Sequence, residues 1–173
     1  MKKLILAIAA ALMLSAPAFA QTVAVGRTTT SPDSFNYVNV DHSWEVGNDV
    51  EVVAEARLTD RNQHVAKVGL QRDFVSAFGV TLAGRGNLTQ TFGNRSETGF
   101  SLEPSASFEY NKAKVTVGYE LGDTFKQKDN GEVRKTKVAV MYPFDFGTFG
   151  VKYENDRGGN RASSLALVYS IQR

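Results

Sequence analysis

The chain has 173 residues and no cysteine, which excludes disulfide bonds, thiolate metal sites and a lipid-modified cysteine. Twenty Lys and Arg residues stand against 18 Asp and Glu residues, but Lys2 and Lys3 belong to an N-terminal segment that has no acidic residue. The remainder therefore has no formal net charge, and it shows no clustered basic stripe of the kind that binds nucleic acid.

Residues 1–20 have the features of a secretory signal peptide. Two lysines precede the apolar run Leu4–Leu14, and Ala18-Phe19-Ala20 forms an A-x-A cleavage site. The apolar run is too short to cross about 30 Å of hydrocarbon as a helix. We expect cleavage after Ala20, and residues 21–173 are long enough for one domain.

Ten later segments alternate between apolar and polar residues, as strands with two unlike faces do. In the sixth segment, for example, Phe100 and Leu102 alternate with Ser101 and Glu103. The predicted strands are 22–30, 35–46, 50–59, 64–73, 78–90, 98–110, 113–122, 133–144, 148–155 and 162–172. Because no helical period occurs after residue 20, the pattern predicts an all-β fold, a closed antiparallel up-and-down transmembrane β-barrel of about ten strands.

The first two segments alternate less regularly than the others. Phe35 and Tyr37 share one parity, whereas Val40 and Trp44 share the other. A β-bulge near Tyr37 and a misplaced strand boundary explain this equally well. The wall has eight strands if these two segments do not join it. A second bulge is predicted at Pro104, because proline has no N–H to contribute to a ladder.

The connections between the segments alternate in length. The short ones are Glu45–Asp49, Phe74–Ala77, Asn111-Lys112 and Asp145–Gly147. The longer and more polar ones are 31–34, 60–63, 91–97, 123–132 and 156–161. Outer-membrane barrels have short periplasmic turns and longer external loops, so this asymmetry predicts both the location and the orientation.

Aromatic residues collect beside the short connections. They are Trp44, Phe74, Phe78, Phe108, Tyr110, Tyr142, Phe144, Phe146 and Phe149. Such rings prefer the headgroup boundary of a membrane, which predicts an aromatic girdle at the periplasmic end.

Alternation alone does not say which face points inward, and a soluble barrel with an apolar lumen would show the same period. The unequal connections and the aromatic girdle favour the membrane, with the polar face lining the lumen. That face carries Glu51, Glu55, Arg57, Lys67, Gln71, Arg85, Glu103, Lys114, Glu120, Lys137, Lys152 and Glu154. Charges of both signs in a narrow interior should pair, so we interpret this set first as structural filling and second as an ion path.

Catalytic and metal-binding patterns are weak. Asp41 and His42 are adjacent, so in a regular strand their side chains point to opposite faces and cannot form a dyad. His64 lies at the edge of a connection. Residues 129–131 resemble the start of a calcium loop but lack the later glutamate ligand. The sequence therefore predicts no enzyme activity, no metal and no cofactor.

The signal, the amphipathic strands and the unequal connections resemble the small bacterial outer-membrane β-barrel proteins, the porin-like and adhesin-like group with eight to ten strands. The resemblance implies outer-membrane lipid as surroundings and insertion by the barrel assembly machinery. That machinery reads a last strand such as the one with Leu165, Leu167, Tyr169 and Ile171, from which Gln172-Arg173 depart. The predicted role is structural or surface interaction through the external loops. The alternatives are a narrow channel for ions or small solutes and a soluble periplasmic barrel for apolar ligands.

Overall fold

The computed structural model describes residues 21–30, 34–93, 96–125, 132–158 and 161–171, and the predicted signal segment lies outside them. These residues form one closed antiparallel barrel of ten strands, each paired with its neighbours along the chain. The strands are β1 (Gln21–Thr30), β2 (Ser34–Gly47), β3 (Val50–Thr59), β4 (Gln63–Ala77), β5 (Val80–Gly93), β6 (Thr98–Tyr110), β7 (Ala113–Thr124), β8 (Val133–Phe144), β9 (Gly147–Asp156) and β10 (Ala162–Ile171). The predicted fold class is confirmed.

Strand β1 closes the barrel by pairing with β2 on one side and β10 on the other. Both of the first two strands therefore belong to the wall, and the eight-strand alternative is wrong. The predicted bulge at Tyr37 is also wrong, because Tyr37 pairs in continuous register with Gly26 and Thr59. Tyr37 faces the interior, where a Cβ on Gly26 would lie only 2.6 Å from its ring, so glycine makes room for the aromatic side chain.

The turn between β4 and β5 lies further along the chain than predicted. Strand β4 continues to Ala77, and the turn consists of Phe78 and Gly79, which both have positive φ angles of 53° and 75°. The predicted connection Phe74–Ala77 and the predicted strand start at Phe78 are therefore wrong. A bulge between Asp73 and Val75 shifts the register, which interrupts the alternation on which the prediction depended.

Pro104 does not produce a bulge. Strand β6 pairs with β7 at Leu102–Leu121 and again at Ser105–Gly118, in the same register on both sides of the proline. The ladder is interrupted between these two pairs, because a proline has no N–H to donate. The missing hydrogen bond is thus accommodated without an extra residue.

The outer surface of the barrel is apolar and its interior is polar. Leu70, Leu102 and Leu167 are exposed on the outside, whereas Glu120 inside is only 2% exposed. The alternative of a soluble barrel with an apolar lumen is therefore wrong. A smaller apolar cluster lies inside the barrel on β1, β2 and β10, and it consists of Ala24, Tyr37, Ala166 and Val168. Among the described residues, no helix is long and apolar enough to cross a membrane.

Candidate functional site

Charged side chains from both halves of the barrel meet inside it. We call this group the lumen network, and it consists of Glu55, Arg57, Lys67, Arg85, Glu103, Glu120, Lys137, Lys152 and Glu154 with the neutral Asn87 and Ser101. Two other predicted lumen residues, Glu51 and Lys114, line a cavity between the network and the short turns. Within the described ranges they join none of the ion pairs of the network.

One half of the network is centred on Arg57. Its guanidinium donates to both carboxylate oxygens of Glu154, at 3.2 and 3.1 Å, and lies 3.8 Å from Glu55. Lys152 lies 3.0 Å from the same Glu154, and the Arg57 guanidinium covers the ring of Tyr37 at 4.6 Å. Because β3 and β9 are four strands apart around the barrel, the Arg57–Glu154 pair crosses the lumen.

The other half is centred on Glu120. Its carboxylate accepts from Lys67 at 2.7 Å and from the Ser101 hydroxyl at 2.8 Å, and it lies 2.9 Å from Lys137. Lys137 also donates to Glu103 at 2.6 Å. Two of these contacts link strands that do not share a ladder: Lys67–Glu120 joins β4 to β7, and Lys137–Glu103 joins β8 to β6.

Neutral residues connect the two halves. Arg85 lies 3.7 Å from Glu55 and donates to the Asn87 side-chain oxygen at 2.6 Å. Asn87 in turn donates to Ser101 at 3.3 Å. Sequence reasoning missed Asn87 and Ser101, although both stand at inward positions of their predicted strands, because apart from Gln71 the candidates were all charged residues.

A cavity of about 1090 Å³ lies between the network and the short turns. Its wall includes Lys112 in the turn after β6, and its inner end reaches Asp41, Glu103, Lys137 and Lys152. The remaining network residues do not line it. The lumen is thus wide at the turn end and filled with side chains at the network.

The predicted girdle residues lie at the turn end of the barrel. Tyr142, Phe144, Phe146 and Phe149 form a chain of ring contacts with centroids 5.2 to 5.9 Å apart. Tyr169, which sequence reasoning did not include, extends the chain at 4.5 Å from Phe149. The other predicted members are exposed or half-buried: Trp44, Phe74, Phe78, Phe108 and Tyr110.

Sequence reasoning also missed aromatic residues at the loop end. Phe92, Phe100, Phe125 and Tyr153 are exposed there, and Phe100 lies 5.7 Å from Phe125 between centroids. Interfacial rings therefore occur near both ends of the apolar surface.

The histidines are engaged in local contacts. His42 meets Trp44 edge to face at 4.3 Å, and His64 accepts a hydrogen bond from the Thr59 amide at 3.4 Å. Within the described ranges, no three His, Cys, Asp or Glu side chains are grouped to hold a metal ion. The calcium-loop-like residues 129–131 lie outside those ranges.

Comparisons with known proteins support the fold. No family model and no curated protein matches the sequence. Among solved structures, the chain is similar to the NanC porin, with a TM-score of 0.53 and 10% identity over 88% of this chain and 100% of that one. The KdgM porin gives a TM-score of 0.48 and 12% identity over 89% of this chain and 99% of that one. The outer membrane channel DcaP of Acinetobacter baumannii gives a TM-score of 0.42 and 11% identity over 91% of this chain and 60% of that one. Together with the apolar outer surface, the fold confirms the predicted resemblance to small porin-like barrels of the outer membrane.

Proposed function

We propose that this outer-membrane barrel is a structural or surface-interaction protein whose lumen is closed by the lumen network. The observation that carries the proposal is the Arg57–Glu154 pair, which joins strands four apart across the interior. The surface-interaction part rests on the predicted external loops. Residues 31–33, 94–95, 126–131 and 159–160 of those loops lie outside the described ranges.

The free-energy cost of separating buried charges favours a network that keeps the lumen closed. Removing one partner from a buried ion pair costs about 3–5 kcal/mol, since the other charge is left without compensation. A ten-stranded barrel is only slightly wider than one that side chains fill completely. The side chains therefore remain paired across the interior and obstruct passage.

Planar-bilayer recording tests the closed lumen. We expect the unmodified protein to insert without unitary conductance steps. The double variant Arg57→Ala/Glu154→Ala removes both charges of the crossing pair together, and it should conduct. Glu51→Gln, at the cavity wall outside the network, should stay silent like the unmodified protein. Heat-modifiable gel migration verifies that each variant is folded. Steps from the unmodified protein, or silence from the folded double variant, would contradict the proposal.

A narrow channel for ions or small solutes is the second candidate. The cavity of about 1090 Å³ already occupies the turn-end half of the lumen, and the fold likeness covers the whole of the NanC porin chain. Unitary steps from the unmodified protein that change in Glu103→Gln or Lys137→Gln would favour this function over the first.

A further inference from the structure

Four arginines collect on the outside of the barrel at its loop end. Arg27 pairs with the exposed Leu165, and Arg134 pairs with the exposed Leu121, so both arginines stand at outward positions. Arg157 and Arg161 follow β9 and precede β10, and both are exposed. We call Arg27, Arg134, Arg157 and Arg161 the outer arginine patch. It extends over the consecutive strands β8, β9, β10 and β1, about 14 Å at the usual strand spacing.

The patch borders directly on the apolar outer surface. Val25, Tyr153 and Leu165 are exposed on the same strands, only two to four residues closer to the middle of the barrel. The Tyr153 hydroxyl accepts a hydrogen bond from Asn155 at 3.1 Å, as expected for a ring at the edge of the hydrocarbon region. The guanidinium groups consequently lie at the depth where lipid headgroups begin.

Among the described residues, most of this positive charge has no acidic partner. Arg134 pairs with Glu132, but within the described ranges no carboxylate lies within 4.0 Å of Arg27, Arg157 or Arg161. Arg27 donates to the Ser34 hydroxyl, at 2.7 Å. On the opposite flank, the loop-end side chain Asp123 stands at an outward position beside Phe100 and is acidic. Within the described ranges, the flank with the outer arginine patch is thus more positive than the flank with Asp123.

A recess accompanies the patch. A surface cavity of about 370 Å³ is lined by Arg157 and Arg161 together with Asn155, Asp156 and Ser163. It offers hydrogen-bond donors beside two guanidinium groups, and the charge of its carboxylate, Asp156, is compensated by Lys135 at 3.7 Å. Arginine recognises phosphate by paired, charge-assisted hydrogen bonds, so this combination suits a phosphate group better than a carboxamide or a neutral sugar.

We propose that the outer arginine patch binds the phosphorylated sugar headgroup of an outer-leaflet glycolipid, as in lipid A. Continuity with the apolar surface favours a lipid over a free phosphate ion, because acyl chains can pack on Val25 and Leu165 while the headgroup meets the arginines. The proposal rests on the outer-membrane location and on the predicted external side of the longer loops, but not on the closed lumen.

Titration of the detergent-solubilised protein with bisphosphorylated lipid A, followed by native mass spectrometry, tests the proposal. The triple variant Arg27→Gln/Arg157→Gln/Arg161→Gln should bind the lipid more weakly by roughly fivefold for each arginine removed. A matched triple variant, Arg72→Gln/Lys112→Gln/Lys114→Gln, loses the same charge at the short-turn end of the barrel and should bind like the unmodified protein. Dephosphorylated lipid A should bind weakly to all three proteins.

Three outcomes would overturn the proposal. They are equal binding by the patch variant and the unmodified protein, equal losses in both triple variants, and full competition by inorganic phosphate at the concentration of the lipid. Heat-modifiable migration of every variant excludes misfolding as the cause. Insertion of the unmodified protein into phosphatidylethanolamine vesicles separates failure of lipid recognition from failure of the membrane assignment itself.

Discussion

Glu120 is the side chain on which the lumen depends most. It is almost fully buried and contacts Lys67, Ser101 and Lys137, which come from three different strands. A carboxylate at this point compensates two ammonium groups in an environment of low polarity. Glutamine at position 120 would keep the shape of the side chain but leave the two ammonium charges uncompensated.

We therefore expect Glu120→Gln to lower the free energy of unfolding by about 3 kcal/mol, since it breaks a buried ion pair on one side. Urea unfolding in lipid vesicles, followed by tryptophan fluorescence, measures this. Glu51→Gln serves as the control, because Glu51 joins none of the ion pairs within the described ranges, and its effect should be near zero. Adding Lys67→Met to Glu120→Gln should recover part of the loss. Equal destabilisation by the two single variants would refute this account of the network.

Among the elements, the β4–β5 hairpin combines a local strain with an unusual exposure. Phe78 occupies the left-handed region, and its side chain is 105% exposed, beyond the end of the wall. A bulky residue in that region costs roughly 1–2 kcal/mol, and Asn-Gly is the preferred pair for such a turn. The position thus gives up local stability for an aromatic ring at the membrane boundary.

Phe78→Asn separates these two effects. In detergent it should raise the thermal midpoint, because asparagine tolerates the positive φ angle. In phosphatidylcholine vesicles it should lose part of the stabilisation by the bilayer. Phe78→Ala is the matched control: it also loses the ring but keeps the strain, so its midpoint in detergent should not rise. A higher midpoint for both variants in vesicles would show that the ring does not anchor the turn.

The strand count and the faces of the barrel were predictable from the sequence, whereas local irregularities were not. The observed bounds of β6 and β8 equal the predicted strands 98–110 and 133–144, because alternation reports the period of a strand directly. The bulge after Asp73 reverses the parity, so alternation there predicted a turn within a continuous strand. Partner choice in the lumen also depends on strand register and tilt, so the pairing of Arg57 with Glu154 across the interior was not predictable.

At the scale of the whole molecule, the barrel is an inverted globular protein. Many of its exposed large side chains are apolar, whereas the polar Asn39 and Glu120 are almost fully buried. Aromatic rings lie near both ends of the apolar surface, as at Phe100 and Phe149. Such a surface is stable in lipid and would aggregate in water.

We expect the native protein to pellet with membranes after carbonate extraction and to migrate faster on gels without heating than after boiling. A closed barrel resists detergent denaturation until it is heated, since it has no free strand edge from which to unzip. Membrane extracts of the native host, probed with antibody, provide the measurement. Recovery of the protein as a freely soluble periplasmic species would contradict the outer-membrane assignment.

The seam between β1 and β10 also determines when the protein can fold. It pairs Gln21 with Ile171 and Thr30 with Ala162 without interruption, and the Thr22 hydroxyl donates to Ser170, 148 residues later. The first strand cannot complete its ladder until the last one has been synthesised and exported. The wall therefore cannot be completed during translation, and the emerging chain must be kept from aggregating until its final strand arrives.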